Sequence, residues 1–515
     1  MRMRSTRKRW LRLAAVPLTF AFVAAACSTE SDDADDSDDT SAVTSGGDDT
    51  AAGGDTATTG GGDTATTGGG DTGATTAGTE TGETSPFITA SEGEAPTAGS
   101  IVADPALAGT EVNVFGPESS DEEAGAHQDA LNAFGEANDM TITYVGARDF
   151  EEQINSQVTG GNPPDIAIFP QPGKLRGFAE SGDLFPVPDD VLASVSENWD
   201  EGWLNFWQDE EGTQYGVPNK SDLKSLVWYS PAAFDEAGYA IPETFDDFVS
   251  LNEEMITNGD VPLCVGIESG PATGWPFTDW TEELILRNEG IDYYNSWVAH
   301  ETPFDDAPVV EAMTTVNDLW QADGAVYAAG GSIAATPFGD NGQALVDGEC
   351  FMHRQANFFA AIFPEGTEFG TDAEGAIDTF YFPSNEGSPV LVAGTSAAAF
   401  RDAPEVWAVM EYYGSAEYAD NRQVAQLARK GAEPGGDVIS GFLSANSNAN
   451  ADNYSELEKG FLEVLATAEP AGFDGSDDMP AEVGSGSFWR EATSLVNGDT
   501  DPESAAQAIE ESWPS

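Results

Sequence analysis

Basic residues are scarce in this chain. Its 515 residues include 19 Lys and Arg against 91 Asp and Glu, a formal net charge of −72. Six of the basic residues fall in the first 27 positions and no acidic residue does, so the remainder is more acidic still. A surface this anionic repels phosphate backbones and acidic lipid headgroups, which argues against nucleic acid or anionic membrane as a partner. Cysteine and histidine are also rare, three of each. That leaves too few ligands to expect a structural zinc site. The one conspicuous apolar run, Leu13–Val23, is too short to span a bilayer comfortably. No Gly-x-Ser-x-Gly elbow and no His-Glu-x-x-His run occurs, which disfavours esterase and zinc-protease chemistry. No EF-hand spacing occurs either. No cofactor is expected.

What is present begins with an export signal over residues 1–27. Arg2, Arg4, Arg7, Lys8, Arg9 and Arg12 form a basic segment, the apolar run follows, and Ala24-Ala25-Ala26-Cys27 closes it. The small residues before Cys27 resemble a bacterial lipoprotein cleavage site. That resemblance implies a lipid on Cys27 and a protein anchored to the cell membrane, facing outward. A soluble secreted protein cut near the same place is the alternative. No adjacent Arg pair occurs, so the general secretion route is expected. Residues 28–108 are read as a disordered Asp/Gly/Thr-rich tether. Gly-Gly-Asp-Thr-Ala-Thr-Thr-Gly recurs there with Asp55, Asp63 and Asp71 in register. Apolar residues are nearly absent, so burial cannot offset the entropy of ordering. With Cys27 committed to lipid, Cys264 and Cys350 remain as a pair in an oxidising compartment, and a disulfide between them is expected.

About 410 residues follow, enough for a large two-lobed core. Glu111–Phe115, Thr141–Val145 and Asp165–Phe169 pattern as strands; Glu122–Asn138 and Asp149–Thr159 pattern as helices. Gly160-Gly161 and Pro163-Pro164 stop the second helix. This βαβαβ run predicts a parallel sheet with ligands at the carboxyl ends of its strands. The loops there are Gly116–Ser120 and Pro170–Gly173, and neither holds a nucleotide-binding glycine pattern. Glu118, Ser119 and Gln171 are therefore candidate ligand contacts, with turn formation and helix capping as the alternative.

Gln214–Tyr229 reads as a strand crossing from one lobe to the other, although a sheet strand within one domain fits the same pattern. Lys220, Asp222 and Lys224 put charges in a segment otherwise fit for burial, and buried charges need partners. Thr244–Asp247 resembles a capping box with Asp in the Glu position, opening a helix that ends near Gly259. Glu268–Trp280 is a Gly/Pro-rich loop with two Trp and one Phe. Asp306–Asp323 is another helix, Cys350–Phe358 is strand-like, and Val390–Ser396 is the expected crossing back. Helices are expected at about 403–413, 416–430 and 454–467. Lobe 1 then covers about 109–218 and 395–432, and lobe 2 about 229–385 and 440–515, with crossings near 219–228 and 386–396.

Several of these stretches together resemble one family. Tyr215–Tyr229, Gly266–Gly270 with Thr273–Pro276, Met352–Gln355, and Phe473–Asp477 with Gly486–Trp489 are similar to the α-glucoside-type extracellular sugar-binding lipoproteins of ABC importers. The resemblance runs from about Glu111 to Trp513. It implies a maltose-binding-protein-like fold: a type II periplasmic-binding-protein-like α/β architecture, two lobes around a cleft joined by hinge crossings. It further implies an oligosaccharide ligand, delivery to ABC permease subunits, no catalysis, and a monomer.

The residue chemistry agrees. Aromatic rings stack on the apolar faces of sugar rings, and carboxylates, Arg and amides bind the hydroxyl rims. Trp275, Trp280, Phe488 and Trp489 are candidate platforms, with core packing as the alternative for each. Asp222, Asp279, Arg354 and Asp477 are candidate hydroxyl partners, joined by Lys220, Gln355 and Thr395. Arg354 fits a buried ion pair equally well, and His353 beside it fits a packed, hydrogen-bonded role. An exported glycoside hydrolase and a surface carbohydrate adhesin are the competing readings.

Overall fold

The computed structural model describes residues 103–514 apart from 372, 374 and 469. The signal segment, Cys27 and the repeats of the tether lie outside the described residues. The last stretch assigned to the tether does not: Pro105–Leu107 forms a short 3-10 turn, and Leu107 is buried in the core.

Eleven strands form two sheets among the described residues. The first is built around β1 (Glu111–Gly116), α1 (Asp121–Asn138), β2 (Thr141–Gly146), α2 (Phe150–Thr159) and β3 (Ile166–Phe169). β1 pairs in parallel with both β2 and β3, so the helices α1 and α2 serve as crossover connections. Ser120 caps α1 through its side chain, and Asp121, Glu122 and Glu123 place negative charge at the positive end of the helix dipole. Ala126, His127, Ala130, Leu131, Gly135 and Asn138 are the buried residues of α1; Ala137 faces solvent.

The stretch read as one crossing strand is two strands in two sheets. β4 (Gly216–Leu223) pairs with β10 (Val390–Ala399) in the first sheet. β5 (Leu226–Tyr229) pairs with β8 (Met352–Arg354) and β9 (Asp378–Tyr381) in the second. The second sheet has the order β7-β6-β8-β5-β9, with β6 at Leu263–Cys264 and β7 at Val326–Tyr327. The chain therefore crosses at Lys224-Ser225. It crosses back in 382–389, because all of β10, Val390–Ser396 included, lies in the first sheet. Both crossings meet at Ser225. Its carbonyl accepts from Phe382 N at 3.0 Å. Its hydroxyl accepts from Leu391 N at 2.7 Å and donates to Glu283 at 2.7 Å.

The expected helices are in place: Ala307–Gln321, Pro404–Tyr413, Ala416–Arg429 and Glu456–Thr467. Thr244 and Asp247 form both hydrogen bonds of a capping box. The stretch after 440 does not belong to one lobe. Leu443 bridges Ser221 of β4, Ser447 N donates to Asn198 O at 2.8 Å, and β11 (Ala471–Phe473) extends the first sheet beside β10. Only after β11 does the chain enter the second core, through Met479, Val483, Phe488 and Leu495. The reason is a free edge on β10, which β11 covers with backbone hydrogen bonds.

Cys264 and Cys350 form a disulfide with a Cα–Cα distance of 5.4 Å. It closes a sequence separation of 86 residues between strand β6 and the start of β8. Constraining so long a loop restricts the unfolded chain, so the Cys264→Ala/Cys350→Ala protein is expected to lose about 2–5 kcal/mol of stability in urea unfolding. An unchanged midpoint would show that packing alone holds these strands.

Candidate functional site

A cavity of about 430 Å³ opens between the two sheets. Its walls come from the ends the sequence pointed to, the loop after β1 and the loop after β3, together with β4, the first crossing at Lys224 and the middle of β10. Glu118, Ser119, Gln171, Lys220, Asp222, Trp275, Thr395, Asp477 and Trp489 all line it. Asp279, Arg354 and Gln355 do not. Arg354 is turned into the second lobe, where it donates to Asp279 at 3.1 Å and Glu283 at 2.6 Å. Gln355 is buried, its amide oxygen taken by Ala356 N. These residues brace the wall rather than face the cavity. His353 is likewise a packed residue: its Nδ1 lies 3.0 Å from Cys264 O, and burial lowers its pKa to about 4.

Two glycines explain how the walls come so close. A Cβ on Gly146 would lie 1.8 Å from Glu118 O, so only glycine lets the β1 loop lie over the end of β2. Tyr144 then donates to Glu118 O at 3.0 Å. Gly274 sits at φ 120° with Trp489 O 2.2 Å from where its Cβ would be. This brings Trp275 and Trp489 together. Trp275 was expected in a loop; it opens the helix Trp275–Glu289, with Pro276 in the first turn where a missing N–H costs nothing.

The aromatic residues separate by burial. Trp280 and Phe488 are core: Trp280 meets Phe248, Trp320 and Phe382, and Phe488 meets Trp297 and Phe304. Trp275, Phe338 and Phe358 are half-buried, with Trp275 at 5.2 Å from Phe338 and 6.2 Å from Phe358. All three line the cavity, with the Lys220 ammonium 5.4 Å from the Phe358 ring centre and the Lys224 ammonium 5.5 Å from that of Trp275. Trp489 is more buried and donates from its indole N–H to Ser476 at 3.3 Å. Phe338 and Phe358 were not singled out in the sequence, nor was Asp474. Nothing in their local pattern distinguishes them from core.

Two charge clusters frame the cavity. In the first lobe, burial alone would raise Glu118. The Arg422 guanidinium at 3.2 Å, the His127 hydrogen bond at 2.8 Å and Lys220 at 3.5 Å outweigh it and hold the carboxyl well below the usual range. At the first crossing, Lys224 lies 2.9 Å from Asp279 and in close contact with Asp474. These two carboxylates outweigh burial and hold the ammonium well above its usual pKa. Asp279, Glu282 and Asp474 place ligand atoms within 4.8 Å of one another, a spacing that suits a metal ion. The Lys224 ammonium already supplies positive charge there. Glu282 accepts from Gly475 N and Ser476 N, which fixes the turn carrying Asp474 and Asp477. Burial, then Asp474, pushes Asp477 well above the carboxylate range.

Gln171 Oε1 is a buried acceptor with no hydrogen-bond donor, and Asp222 Oδ1 has the Lys220 ammonium 3.6 Å away; both residues line the cavity. Thr395 donates to Asn219 at 2.7 Å, where β10 shifts register between Thr395 and Ser396. The walls thus offer aromatic rings beside both charged and neutral polar groups.

Burial pushes the Asp279 carboxyl up to about 6, against the pull of Lys224. Between about pH 4 and 6 the folded state then holds a proton the unfolded chain has lost. Stability falls as pH rises through that window, by roughly 3 kcal/mol for this group. Urea unfolding of wild type and Asp279→Asn across that window checks this. The variant is expected to show a shallower fall, and parallel curves would contradict the assignment.

Residues 116–420 match the family model of the bacterial extracellular solute-binding proteins. The chain is 35% identical over 423 residues to the alpha-glucosides-binding periplasmic protein AglE of Rhizobium meliloti, covering 79% of this chain and 88% of AglE. It is 36% identical over 396 residues to the osmoprotective compounds-binding protein GgtB of Synechocystis, covering 75% and 89%. Among solved structures, the bacterial solute receptor AcbH superposes with a TM-score of 0.64 at 18% identity, over 78% of this chain and 98% of AcbH. With two α/β lobes, a cleft between them and these matches, the chain belongs to the bacterial extracellular solute-binding proteins of the kind that serve ABC sugar importers.

Proposed function

We propose that the cleft captures an α-glucoside oligosaccharide and delivers it to the permease of an ABC importer. One observation carries this: the half-buried rings of Trp275, Phe338 and Phe358 line one cavity with the polar side chains of Glu118, Gln171 and Asp222. A sugar presents the complement of both, apolar ring faces and a rim of hydroxyl donors. The name of AglE supports an α-glucoside, and that of GgtB a small osmoprotective compound as the alternative guest.

Capture proceeds by closure of the lobes about the crossings at Ser225, and ligand shifts that balance only through its stronger contacts with the closed form. Arg148 of the first lobe reaches Glu268 of the second at 3.2 Å across the mouth and reinforces closure. The protein works as a non-enzymatic, monomeric receptor held to the membrane by a lipid on Cys27.

Calorimetry and Trp fluorescence with maltose, trehalose and sucrose test the reading. At least one is expected to bind, and Trp275→Ala is expected to weaken that binding about tenfold. If none shifts the signal or the melting temperature, the reading fails. Nitrophenyl glucosides are expected to release no nitrophenol; steady release would favour a glycoside hydrolase.

A further inference from the structure

Behind the cavity wall, a chain of donors ends on one carboxylate. Glu118 follows β1, lines the cavity and keeps 10% of its side chain exposed. Its two carboxylate oxygens are not equally engaged. Oε2 accepts from His127 Nδ1 at 2.8 Å and from Arg422 at 3.2 Å. Among the described residues Oε1 accepts only from Arg422, at 3.3 Å, with the Lys220 ammonium 3.5 Å away. A carboxylate has about four acceptor positions, so Oε1 has room for a further donor.

His127 stands on α1, is 1% exposed and does not line the cavity. Its neighbours fix which nitrogen carries the proton. Burial would raise Glu118, yet Arg422, His127 and Lys220 keep it ionised. An ionised carboxylate only accepts, so the hydrogen is on Nδ1. Burial outweighs the pull of Glu118 on the ring and keeps His127 neutral, which leaves Nε2 an acceptor. The Tyr413 hydroxyl, 2.8 Å from Nε2, donates to it, and the Tyr418 hydroxyl stands 3.4 Å away. Burial raises both phenols, so both keep their protons. The order Tyr413, His127, Glu118 therefore runs one way. A second ring braces the backbone: Tyr144 stacks on His127 with ring centres 4.0 Å apart and donates to Glu118 O at 3.0 Å.

We propose that His127 is a positioning residue for the guest: it does not touch the sugar, but it locks Glu118 with Oε1 turned to the cavity to accept a ligand hydroxyl. The inference rests on the reading of the cavity as a sugar site. A free glutamate gives up its rotamers on binding, and a locked one has already done so. Arg422 cannot set this alone. Its Nη2 reaches both oxygens at nearly equal length, so it holds the carboxylate in place without choosing between them. The His127 bond is shorter and falls on one oxygen.

The test is calorimetry on the exported protein with maltose, trehalose and sucrose, followed with whichever binds the wild type. His127→Phe keeps a flat ring against Tyr144 and removes both nitrogens. His127→Asn keeps a donor near the place of Nδ1 and loses the ring. Affinity is expected to fall about tenfold in the Phe variant and to stay within about threefold of wild type in the Asn variant. In a Glu118→Gln background, His127→Phe is expected to add less than about twofold, because the carboxylate it orients is gone. A purely structural role gives other results: Phe binds as wild type does, Phe and Asn weaken binding alike, or Phe costs its full factor with Glu118→Gln present. Any of these overturns the proposal and leaves the sugar reading standing. Should His127→Phe fail to fold, NMR of isotope-labelled histidine rings in the wild type decides. His127 is expected to carry its proton on Nδ1, and saturating sugar to move its signals. A proton on Nε2, or signals that sugar leaves unmoved, overturns the proposal. If none of the three sugars binds the wild type, the sugar reading and this inference both fall.

Discussion

The ammonium of Lys224 ties together the parts that meet at the cavity. Lys224 belongs to the first crossing, Asp279 to a helix of the second lobe, and Asp474 to the turn after β11 of the first sheet. All three are buried. A buried charge without partners costs several kcal/mol, so none of them can shift without the others. The braces continue outward: Arg354 holds Asp279 and Glu283, Glu283 accepts from Ser225, and Arg287 pairs with Glu283 at 2.6 Å. The wall of the cavity and the pivot between the lobes are therefore one hydrogen-bonded unit.

The cavity draws different things from its two sides. The first lobe contributes short loops at strand ends, which bring Glu118 and Gln171 by backbone position. The second contributes the aromatic residues, from the start of a helix (Trp275), from a turn after β7 (Phe338) and from a 3-10 segment (Phe358). Loops at strand ends suit polar contacts because their backbone is already solvated. Rings need support behind them, and each of these three has one face against protein.

The first lobe was legible because its helices and strands alternate with clean periods and clear stops at Gly160-Gly161 and Pro163-Pro164. The crossing was legible for a different reason: three charges in a β-patterned run have no place in a core. A single charge outside such a run carries no such direction. Asp279 and Arg354 read the same whether they face a ligand or each other, and the fold turns them toward each other. Trp275 and Trp280 are five residues apart with similar surroundings, yet one is half-exposed and the other is core. That difference arises from what packs across the lobe, Trp320 and Phe382 for Trp280, and no local pattern records it. Phe338 and Phe358 stayed hidden for the same reason.

Ser225 gathers backbone and side-chain bonds from both crossings at one point. Any opening about so small a pivot works as a lever: a few degrees there become several ångströms at the far lip, where Arg148 meets Glu268. The lip contact breaks first and reforms last, while contacts near the pivot barely move. The edge contact is an exposed ion pair and the contacts at the pivot are buried, so a substitution at the edge leaves the hydrogen bonds of the pivot intact.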